Sequence, residues 1–133
     1  MKALDTNILI RLLTKDDELQ AKRVYEVFQT AESEHTRLFV PLLVVLEVIW
    51  VLEAVYDIGR FEILDCINDL LLMPVLKFEC RLTLQQFIDS AQGNKYDLSD
   101  LLIAHSAKTN GCQAVLTFDK KASKFSLFEL IKL

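Results

Sequence analysis

Residues 2–13 read Lys-Ala-Leu-Asp-Thr-Asn-Ile-Leu-Ile-Arg-Leu-Leu, and this stretch joins two hydrophobic patterns at an aspartate. Lys2–Leu4 is a short, mainly apolar run typical of a strand, and it ends at Asp5. Four apolar residues at helical spacing follow, namely Ile8, Leu9, Leu12 and Leu13. Thr6 or Asn7 is the predicted cap of that helix, because their side chains accept hydrogen bonds from free backbone N–H groups. The stretch therefore predicts a strand, an aspartate at its carboxyl end, and a helix.

The same alternation of strand and helix continues along the rest of the chain. Further strands are predicted at Leu38–Val40, Val75–Phe78, Ala114–Thr117 and Phe128–Ile131. A second helix is predicted from an acidic start at Asp16–Glu18 to a polar end at Glu32–Thr36. Further helices are predicted at about Leu42–Tyr56, Arg60–Met73 and Leu82–Ala91, and from Asp97 or Ser99 to Thr109. Short strands that alternate with helices are typical of parallel βαβ units covered by helices. A chain of 133 residues with this pattern predicts one α/β domain, residues 1–133.

The composition excludes several classes of protein. With 52% hydrophobic residues and only 3 Gly and 2 Pro, the chain can build a core and shows no linker. Its longest apolar stretch, Leu42–Val55, is interrupted by Glu47 and Glu53, so it is too short and too charged to span a membrane. The N-terminus carries Asp5 and lacks the apolar segment of a signal peptide. We therefore expect a cytoplasmic protein with no membrane association.

Histidines and cysteines offer no metal site of their own. Cys66, Cys80 and Cys112 form no Cys-x-x-Cys pair and are expected to be reduced thiols. His35 lies in a polar stretch and is expected to be exposed. His105 follows Asp100 by about one and a half helical turns, so a supporting polar role is conceivable, but a surface position is the favoured interpretation.

Charge bears on whether the protein acts on nucleic acid. A net charge of −4 argues against simple electrostatic binding to a polyanion. The segment Lys108–Leu133 nevertheless holds five basic residues against two acidic ones. Two divalent cations would bring +4 and cancel the net charge. The charge is therefore compatible with a nuclease that depends on metal ions.

Four carboxylates stand beside apolar runs that lie far apart in sequence: Asp5, Glu47, Asp100 and Asp119. An ionised carboxylate in apolar surroundings is unfavourable unless a positive charge compensates it. No matching buried lysine or arginine is evident, and carboxylate oxygens are hard ligands that suit Mg²⁺ or Mn²⁺. Because ligands of open parallel sheets bind beyond the carboxyl ends of the strands, all four can face one crevice. The sequence therefore predicts a shared metal site.

Each of the four carboxylates also has an ordinary structural interpretation. Asp5 could cap the helix that follows it, and Asp100 could be a first-turn residue favoured by the helix dipole. Asp119 could be a turn residue before Lys120-Lys121. Glu47 is hardest to explain in this way, because the other ten residues of Leu42–Leu52 are apolar; an ion pair with an arginine is its best alternative. The coincidence of all four favours the metal site.

Divalent ions held by carboxylates bind phosphate oxygens, deprotonate a water and stabilise the leaving oxygen of an in-line displacement. Several neighbours of the four carboxylates are candidates for supporting roles, namely Thr6, Asn7, Asp97 and Thr117. Asp97 lies on the same helix face as Asp100 and could be a ligand, a water-mediated partner or the N-cap; support is favoured over direct ligation. Candidates for contacts with an RNA backbone are Arg11, Lys15, Lys120 and Lys121.

Four segments resemble the signature segments of PIN-domain nucleases, and most closely those of VapC-type toxins of bacterial toxin–antitoxin modules. They are Leu4–Arg11, Val45–Glu47, Asp97–Ala104 and Leu116–Asp119, and they occur in the right order over essentially the whole chain. The resemblance implies a three-layer α/β/α sandwich with a short-stranded, mainly parallel sheet. It also implies a Mg²⁺- or Mn²⁺-dependent endoribonuclease whose catalytic and metal-binding residues are the four carboxylates. Thr117 corresponds to the hydroxyl residue that relatives often place beside the last acid.

The resemblance also implies partners: an RNA substrate, a second copy of the chain in a homodimer, and a VapB-like antitoxin whose C-terminal segment lies across the active-site groove. Other functions fit less well. Phosphoryl-transfer enzymes of the haloacid-dehalogenase type resemble Asp-x-Asp where this chain has Asp5-Thr6-Asn7. A receiver domain is disfavoured because Asp16-Asp17 does not follow a strand. A catalytically silent or housekeeping PIN-fold protein that binds or processes RNA is the main alternative, and the presence of all four acids argues against silence.

Overall fold

The computed structural model describes all 133 residues, and the chain divides into two compact units, Met1–Cys80 and Arg81–Leu133. We call them the N-terminal unit and the C-terminal unit. Helices alternate with short strands in both, and every strand pair is parallel. The α/β class and the parallel strands expected from the sequence are therefore confirmed. No helix combines the length and the hydropathy that crossing a bilayer requires.

The N-terminal unit contains a three-stranded sheet and four helices. In chain order the elements are β1 (Lys2–Ala3), α1 (Thr6–Thr14), α2 (Glu18–Ser33), β2 (Leu38–Val40), α3 (Leu42–Ala54), α4 (Arg60–Leu71) and β3 (Leu76–Phe78). The strands follow one another in the order β1-β2-β3, with Ala3 opposite Phe39 and Val40 opposite Phe78. Leu4 extends the first pairing, because its N–H donates to the carbonyl of Phe39 at 2.9 Å. The carboxyl ends of β1 and β2 consequently lie at the same edge of this sheet.

Helix α3 supplies much of the core of the N-terminal unit. Its buried side chains recur at the spacing of one helix face, namely Val45, Val48, Ile49 and Leu52. Leu43 and Trp50 project from the opposite face and are exposed. The sequence predicts a central helix here, because it is apolar almost all round, and it predicts core or dimer packing for Trp50 rather than base stacking. The helix is covered on one face only, so the core position of Trp50 is wrong, and dimer packing stays a prediction. The composition shows that the helix is apolar, but only its packing within the N-terminal unit determines which face is buried.

The C-terminal unit contains two long helices and a pair of strands. In chain order the elements are α5 (Arg81–Gln92), α6 (Leu98–Thr109), β4 (Val115–Thr117), a 3₁₀ turn (Ala122–Lys124) and β5 (Phe128–Leu130). Strands β4 and β5 are parallel, with Val115 opposite Phe128 and Thr117 opposite Leu130. Helices α5 and α6 pack on each other. Helix α6 ends at Thr109, as expected, and Asn110 is its C-cap. Gly111 follows with a φ of 84°, which suits a residue without a side chain.

His105 is a buried residue of the C-terminal unit, with 5% of its surface exposed, so the predicted surface position was wrong. It shares a face of α6 with three buried leucines, Leu98, Leu101 and Leu102. Its ring lies 6.1 Å from that of Phe125, and neither ring nitrogen has a hydrogen-bond partner in the protein. Burial, and secondarily the charge of Lys108, lowers the pKa of His105 below the ordinary 6.5. The neutral imidazole therefore packs here as an apolar group.

Because His105 is buried, we expect the protein to lose stability as the pH is lowered. Below pH 6.5 the unfolded chain takes up a proton at His105 more readily than the folded chain does. His105 therefore makes its full contribution to the free energy of unfolding above pH 6.5. This contribution decreases as the pH is lowered from 6.5 towards the lowered pKa, by up to about 1.4 kcal/mol per pH unit. We expect His105→Leu to remove this component in denaturant titrations between pH 7 and pH 5. The exposed His35, replaced in His35→Asn, is the matched control, and an equal effect of both variants would contradict the assignment.

Candidate active site

Asp5 begins α1, directly after the first strand. Its backbone is extended, and its Oδ1 accepts a hydrogen bond from the N–H of Thr6 at 2.7 Å, so Asp5 is the N-cap. The prediction that Thr6 or Asn7 is the cap was therefore wrong by one or two residues. Thr6 is buried as the first helical residue, whereas Asp5 and Asn7 are exposed. The alternative interpretation of Asp5 as a cap is thus correct, and its exposed carboxylate remains accessible to solvent.

Glu47 lies in the second turn of α3 and is exposed. It belongs to the same outward face as Leu43, four residues before it, and Trp50, three residues after it. No arginine or lysine forms an ion pair with Glu47, and the pairs Arg11–Asp16 and Arg23–Glu26 involve other residues. The ion-pair interpretation considered for Glu47 is therefore not supported. Pro41 joins β2 to α3, which places this helix at the sheet edge where Asp5 follows β1.

Asp97 and Asp100 are held together at the start of α6. Asp97 is the N-cap, and its Oδ1 accepts a hydrogen bond from the N–H of Asp100 at 3.0 Å. Asp100 lies in the first turn and is half-buried. Of the three interpretations of Asp97, the N-cap is the one observed. The cap fixes the backbone of Asp100, so Asp97 supports Asp100 through the peptide N–H.

Asp119 is fixed by the turn that follows β4. Its Oδ1 accepts hydrogen bonds from the N–H groups of Lys121 at 2.8 Å and Ala122 at 3.2 Å. Its own N–H donates to Oγ1 of Thr117 at 3.0 Å. The turn-residue interpretation of Asp119 is therefore correct, and Thr117 supports Asp119 through the backbone. Asp119 is exposed, as is the phenyl ring of Phe118 before it, although Asp119 closes the apolar run Val115–Phe118.

The acidic residues of the C-terminal unit act on one another electrostatically. The pKa of Asp100 is raised above its ordinary value of 3.8, first by burial and then by the negative charges of Asp97 and Asp119. No positive side chain offsets these effects on Asp100. The C-terminal unit therefore holds a carboxylate whose ionised form is disfavoured, which is the condition that a bound cation relieves.

The sequence argument that all four carboxylates lie in apolar surroundings was wrong for three of them. Asp5, Glu47 and Asp119 are exposed, and Asp100 alone is half-buried. The reason is local geometry: a residue beside an apolar run faces solvent when it caps a helix, ends a strand or lies on the open face of an amphipathic helix. The lack of compensating positive charge therefore carries the metal argument only at Asp100.

The chemistry of these donors fits Mg²⁺ or Mn²⁺, because both ions prefer carboxylate oxygens and no cationic side chain offsets the charge of Asp100. Of the four carboxylates, two lie in the N-terminal unit and two in the C-terminal unit. No group of three or more His, Cys, Asp or Glu side chains is arranged to hold a metal ion in the structure. The metal site stays a prediction.

Arg11 is engaged in a network within the N-terminal unit. Its guanidinium forms an ion pair with Asp16 at 3.2 Å and donates to Oε1 of Gln20 at 2.6 Å and to the hydroxyl of Tyr56 at 3.1 Å. Tyr56 in turn donates to Asp16 at 2.7 Å. This network ties the end of α1 to the chain that follows α3, which favours a structural role for Arg11 over the predicted RNA contact.

The predicted lysine contacts remain accessible. Lys15 is exposed just beyond α1, in a left-handed conformation with φ of 54°. Lys120 and Lys121 are exposed directly after Asp119, and Lys124 is exposed at the end of the 3₁₀ turn. The structure therefore presents three lysines within five residues of Asp119.

Comparison with known proteins identifies the family of this chain. The family model described as PIN domain matches residues 2–126. A VapC ribonuclease of Aquifex aeolicus (strain VF5) is 25% identical over 124 residues, which cover 93% of this chain and 91% of the relative. The match to the family model spans nearly all of the sequence and confirms the PIN-like fold class predicted from it. The chain therefore belongs to the PIN-domain family.

Proposed function

We propose that the protein is a Mg²⁺- or Mn²⁺-dependent endoribonuclease that acts as the toxin of a toxin–antitoxin module. Membership of the PIN-domain family and the similarity to a VapC ribonuclease support a nuclease acting on RNA. The observation that carries the metal dependence is geometric, because the half-buried carboxylate of Asp100 has no cationic partner. Burial and the charges of Asp97 and Asp119 raise its pKa, which agrees with this. The family match over residues 2–126 also supports a single PIN-like domain of 133 residues.

In this proposal Asp5, Glu47, Asp100 and Asp119 hold the metal. A bound divalent ion supplies positive charge to phosphate oxygens and lowers the pKa of a coordinated water. Other residues position these four acidic side chains. The N-cap bond from Asp97 orients Asp100, and the hydroxyl of Thr117 fixes the backbone of Asp119. Thr6 fixes Asp5 through its N–H, and Asn7 is exposed in the first turn of α1, where it can orient a ligand or a water.

We expect Asp97 to support the site without ligating metal. Asp97→Ala removes the cap of α6 and should lower the free energy of unfolding by about 1 kcal/mol. Asp97→Asn keeps an oxygen that accepts the N–H of Asp100 and should cost little stability. Cleavage by Asp97→Asn should stay within about 10-fold of wild type, the lower end of losses for residues outside the ligand set. A much larger loss in Asp97→Asn, with its stability retained, would instead assign Asp97 as a ligand.

The proposed partners are an RNA substrate, a VapB-like antitoxin and a second copy of the chain. Lys120 and Lys121 are exposed beside Asp119 and are placed to contact RNA phosphates, with Lys15 as a further candidate. The antitoxin would inhibit the nuclease by occupying its active-site groove. The name of the Aquifex aeolicus relative supports the toxin assignment, and the homodimer follows from the resemblance to VapC-type toxins.

A catalytically silent RNA-binding protein of the same fold is the second candidate. Its basis is that no group of three potential ligands is arranged for metal in the structure. Calorimetric titration with Mn²⁺ separates the two functions, because a silent protein should bind the ion poorly. The presence of all four acids favours the nuclease.

The nuclease proposal is tested by inducing the protein in a bacterial host and sequencing the RNA ends that appear. We expect growth arrest, new ends at defined sites, and loss of both effects in Asp5→Asn. If the adjacent upstream reading frame encodes a small DNA-binding protein, co-expression of that protein should relieve the arrest. Growth arrest of equal strength with Asp5→Asn would show that the toxicity does not arise from cleavage.

A further inference from the structure

Phe118 is an exposed aromatic side chain beside the proposed active site. It lies between Thr117 and Asp119, and 64% of its surface is exposed. Its ring takes part in neither of the aromatic contacts of the structure, which pair Tyr96 and His105 with Phe125. Single exposed apolar side chains are ordinary on protein surfaces, so the exposure of Phe118 matters only because the ring adjoins Asp119, a residue of the proposed site.

The backbone that carries Phe118 is held in place on both sides. The N–H of Asp119 donates to the hydroxyl of Thr117, and the carboxylate of Asp119 accepts the N–H groups of Lys121 and Ala122. Strand β4 precedes this turn and is paired with β5 up to Thr117, whose carbonyl accepts the N–H of Ile131 at 2.8 Å. The ring is therefore presented from an ordered turn, which lowers the entropic cost of binding a ligand against it.

The charges around Phe118 select the kind of ligand. Lys120, Lys121 and Lys124 are all exposed within six residues of the ring. A polyanion with flat apolar groups fits this combination of lysines and an aromatic face, and single-stranded nucleic acid has that character. A protein segment could cover an apolar ring as well, but three neighbouring lysines favour phosphates.

We infer that Phe118 is a stacking platform for an unpaired RNA base next to the phosphate that the proposed site would cleave. The inference rests on the proposed nuclease function. The base bound at Phe118 must be unpaired, because a paired base cannot stack on a protein side chain. Every base has a π-face, so Phe118 would add affinity at this position without demanding one base. Phe118 is a positioning residue, and its loss should raise KM more than it lowers kcat.

The test uses full-length protein carrying Asp100→Asn, so that RNA is bound without being cleaved. Phe118→Ala should weaken binding of a fluorescent single-stranded RNA octamer by about 5- to 150-fold, the range expected for one base-stacking contact. Phe118→Trp should bind within about threefold of the parent, because tryptophan keeps an aromatic face. Phe61→Ala is the matched control, since Phe61 is 57% exposed on α4 of the N-terminal unit, and its affinity should be unchanged.

Stacking itself has a spectroscopic readout. A 2-aminopurine base placed at successive positions of the octamer should be quenched at one position in Phe118→Trp, because the indole is an oxidisable stacking partner, but not in Phe118→Ala. An abasic site at that position should cost as much as Phe118→Ala, and the two changes together should cost no more than either alone. Double-stranded RNA of the same sequence should bind equally to the parent and to Phe118→Ala.

Several results would overturn the inference. Equal RNA affinity of the parent and Phe118→Ala, absence of RNA binding by the parent, or equal losses for single- and double-stranded RNA would each do so. Loss of antitoxin binding in Phe118→Ala with unchanged RNA binding would assign the ring to a protein partner. If wild-type protein binds RNA through Phe118 but never cleaves it, the proposed nuclease function is refuted and the stacking role of Phe118 is kept. If wild type and Phe118→Ala cleave RNA with the same KM, the nuclease function is kept and the stacking role is refuted.

Discussion

Replacing Asp100 with asparagine is expected to slow RNA cleavage at least about 100-fold while the protein stays folded. Loss of a residue outside the ligand set of a metal site typically costs 10- to 100-fold, so loss of a ligand charge should cost more. Of the four carboxylates proposed to hold the metal, Asp100 has the strongest physical evidence for that role. Its carboxylate is half-buried and lies within electrostatic range of Asp97 and Asp119. Single-turnover cleavage of an RNA substrate with Mg²⁺ present measures the loss.

The stability of this variant distinguishes a lost site from a lost fold. Burial and like charges disfavour the ionised form of Asp100, so Asp100→Asn should unfold at the same temperature as wild type, or higher, in metal-free buffer. Asp89→Asn is the control, since Asp89 is an exposed carboxylate on α5 of the same unit. It should cleave RNA at the wild-type rate. Full activity of Asp100→Asn would remove Asp100 from the site.

Removal of divalent metal is the second change with a large expected effect. Cleavage should disappear in EDTA and return when Mn²⁺ or Mg²⁺ is added in excess of the chelator, because the proposed reaction depends on an ion to activate water. Wild-type protein should also become harder to unfold as Mn²⁺ is added. At 100 times Kd, binding to the folded state alone adds about 2.7 kcal/mol to the free energy of unfolding.

The same titration can be run on the variants. Asp100→Asn should lose most of the stabilisation by Mn²⁺, whereas Asp89→Asn should keep it. Cleavage that persists in EDTA after dialysis against the chelator would end the metal-dependent mechanism. A Mn²⁺-induced rise in Tm that is the same in Asp100→Asn would show that the ion binds elsewhere.

Local sequence patterns predicted the secondary structure closely. The second strand was expected at Leu38–Val40 and occupies those residues, and the helix expected from Asp97 or Ser99 to Thr109 spans Leu98–Thr109 with Asp97 as its cap. Helix α3 was expected to reach Tyr56 and ends two residues earlier, at Ala54. Periodicity, caps and glycine or proline stops act over a few residues, so they can be recognised without knowing what packs where.

Patterns failed where exposure depends on a neighbour distant in sequence. His105 looked like a surface residue because it is polar, yet it occupies the buried face of α6 with Leu98, Leu101 and Leu102. Spacing of i, i+3, i+4 and i+7 from Leu98 was the signal that would have found it. Glu47 looked buried because its neighbours are apolar, yet it lies on the open face of α3. No local signal distinguishes the covered face of a helix that is apolar all round.

The amino-acid sequence alone determined the order of strands and helices and the parallel α/β class, because these follow from residue type and spacing along the chain. It also predicted a shared site of Asp5, Glu47, Asp100 and Asp119, which stays a prediction. The tertiary structure decided that Asp5, Glu47, Asp119 and Phe118 are exposed to solvent. It also decided that the negative charges of Asp97 and Asp119 act on Asp100 and raise its pKa. Burial and Coulomb energy depend on which surfaces meet in space, and residues as far apart in sequence as Asp97 and Asp119 influence each other only once the chain has folded.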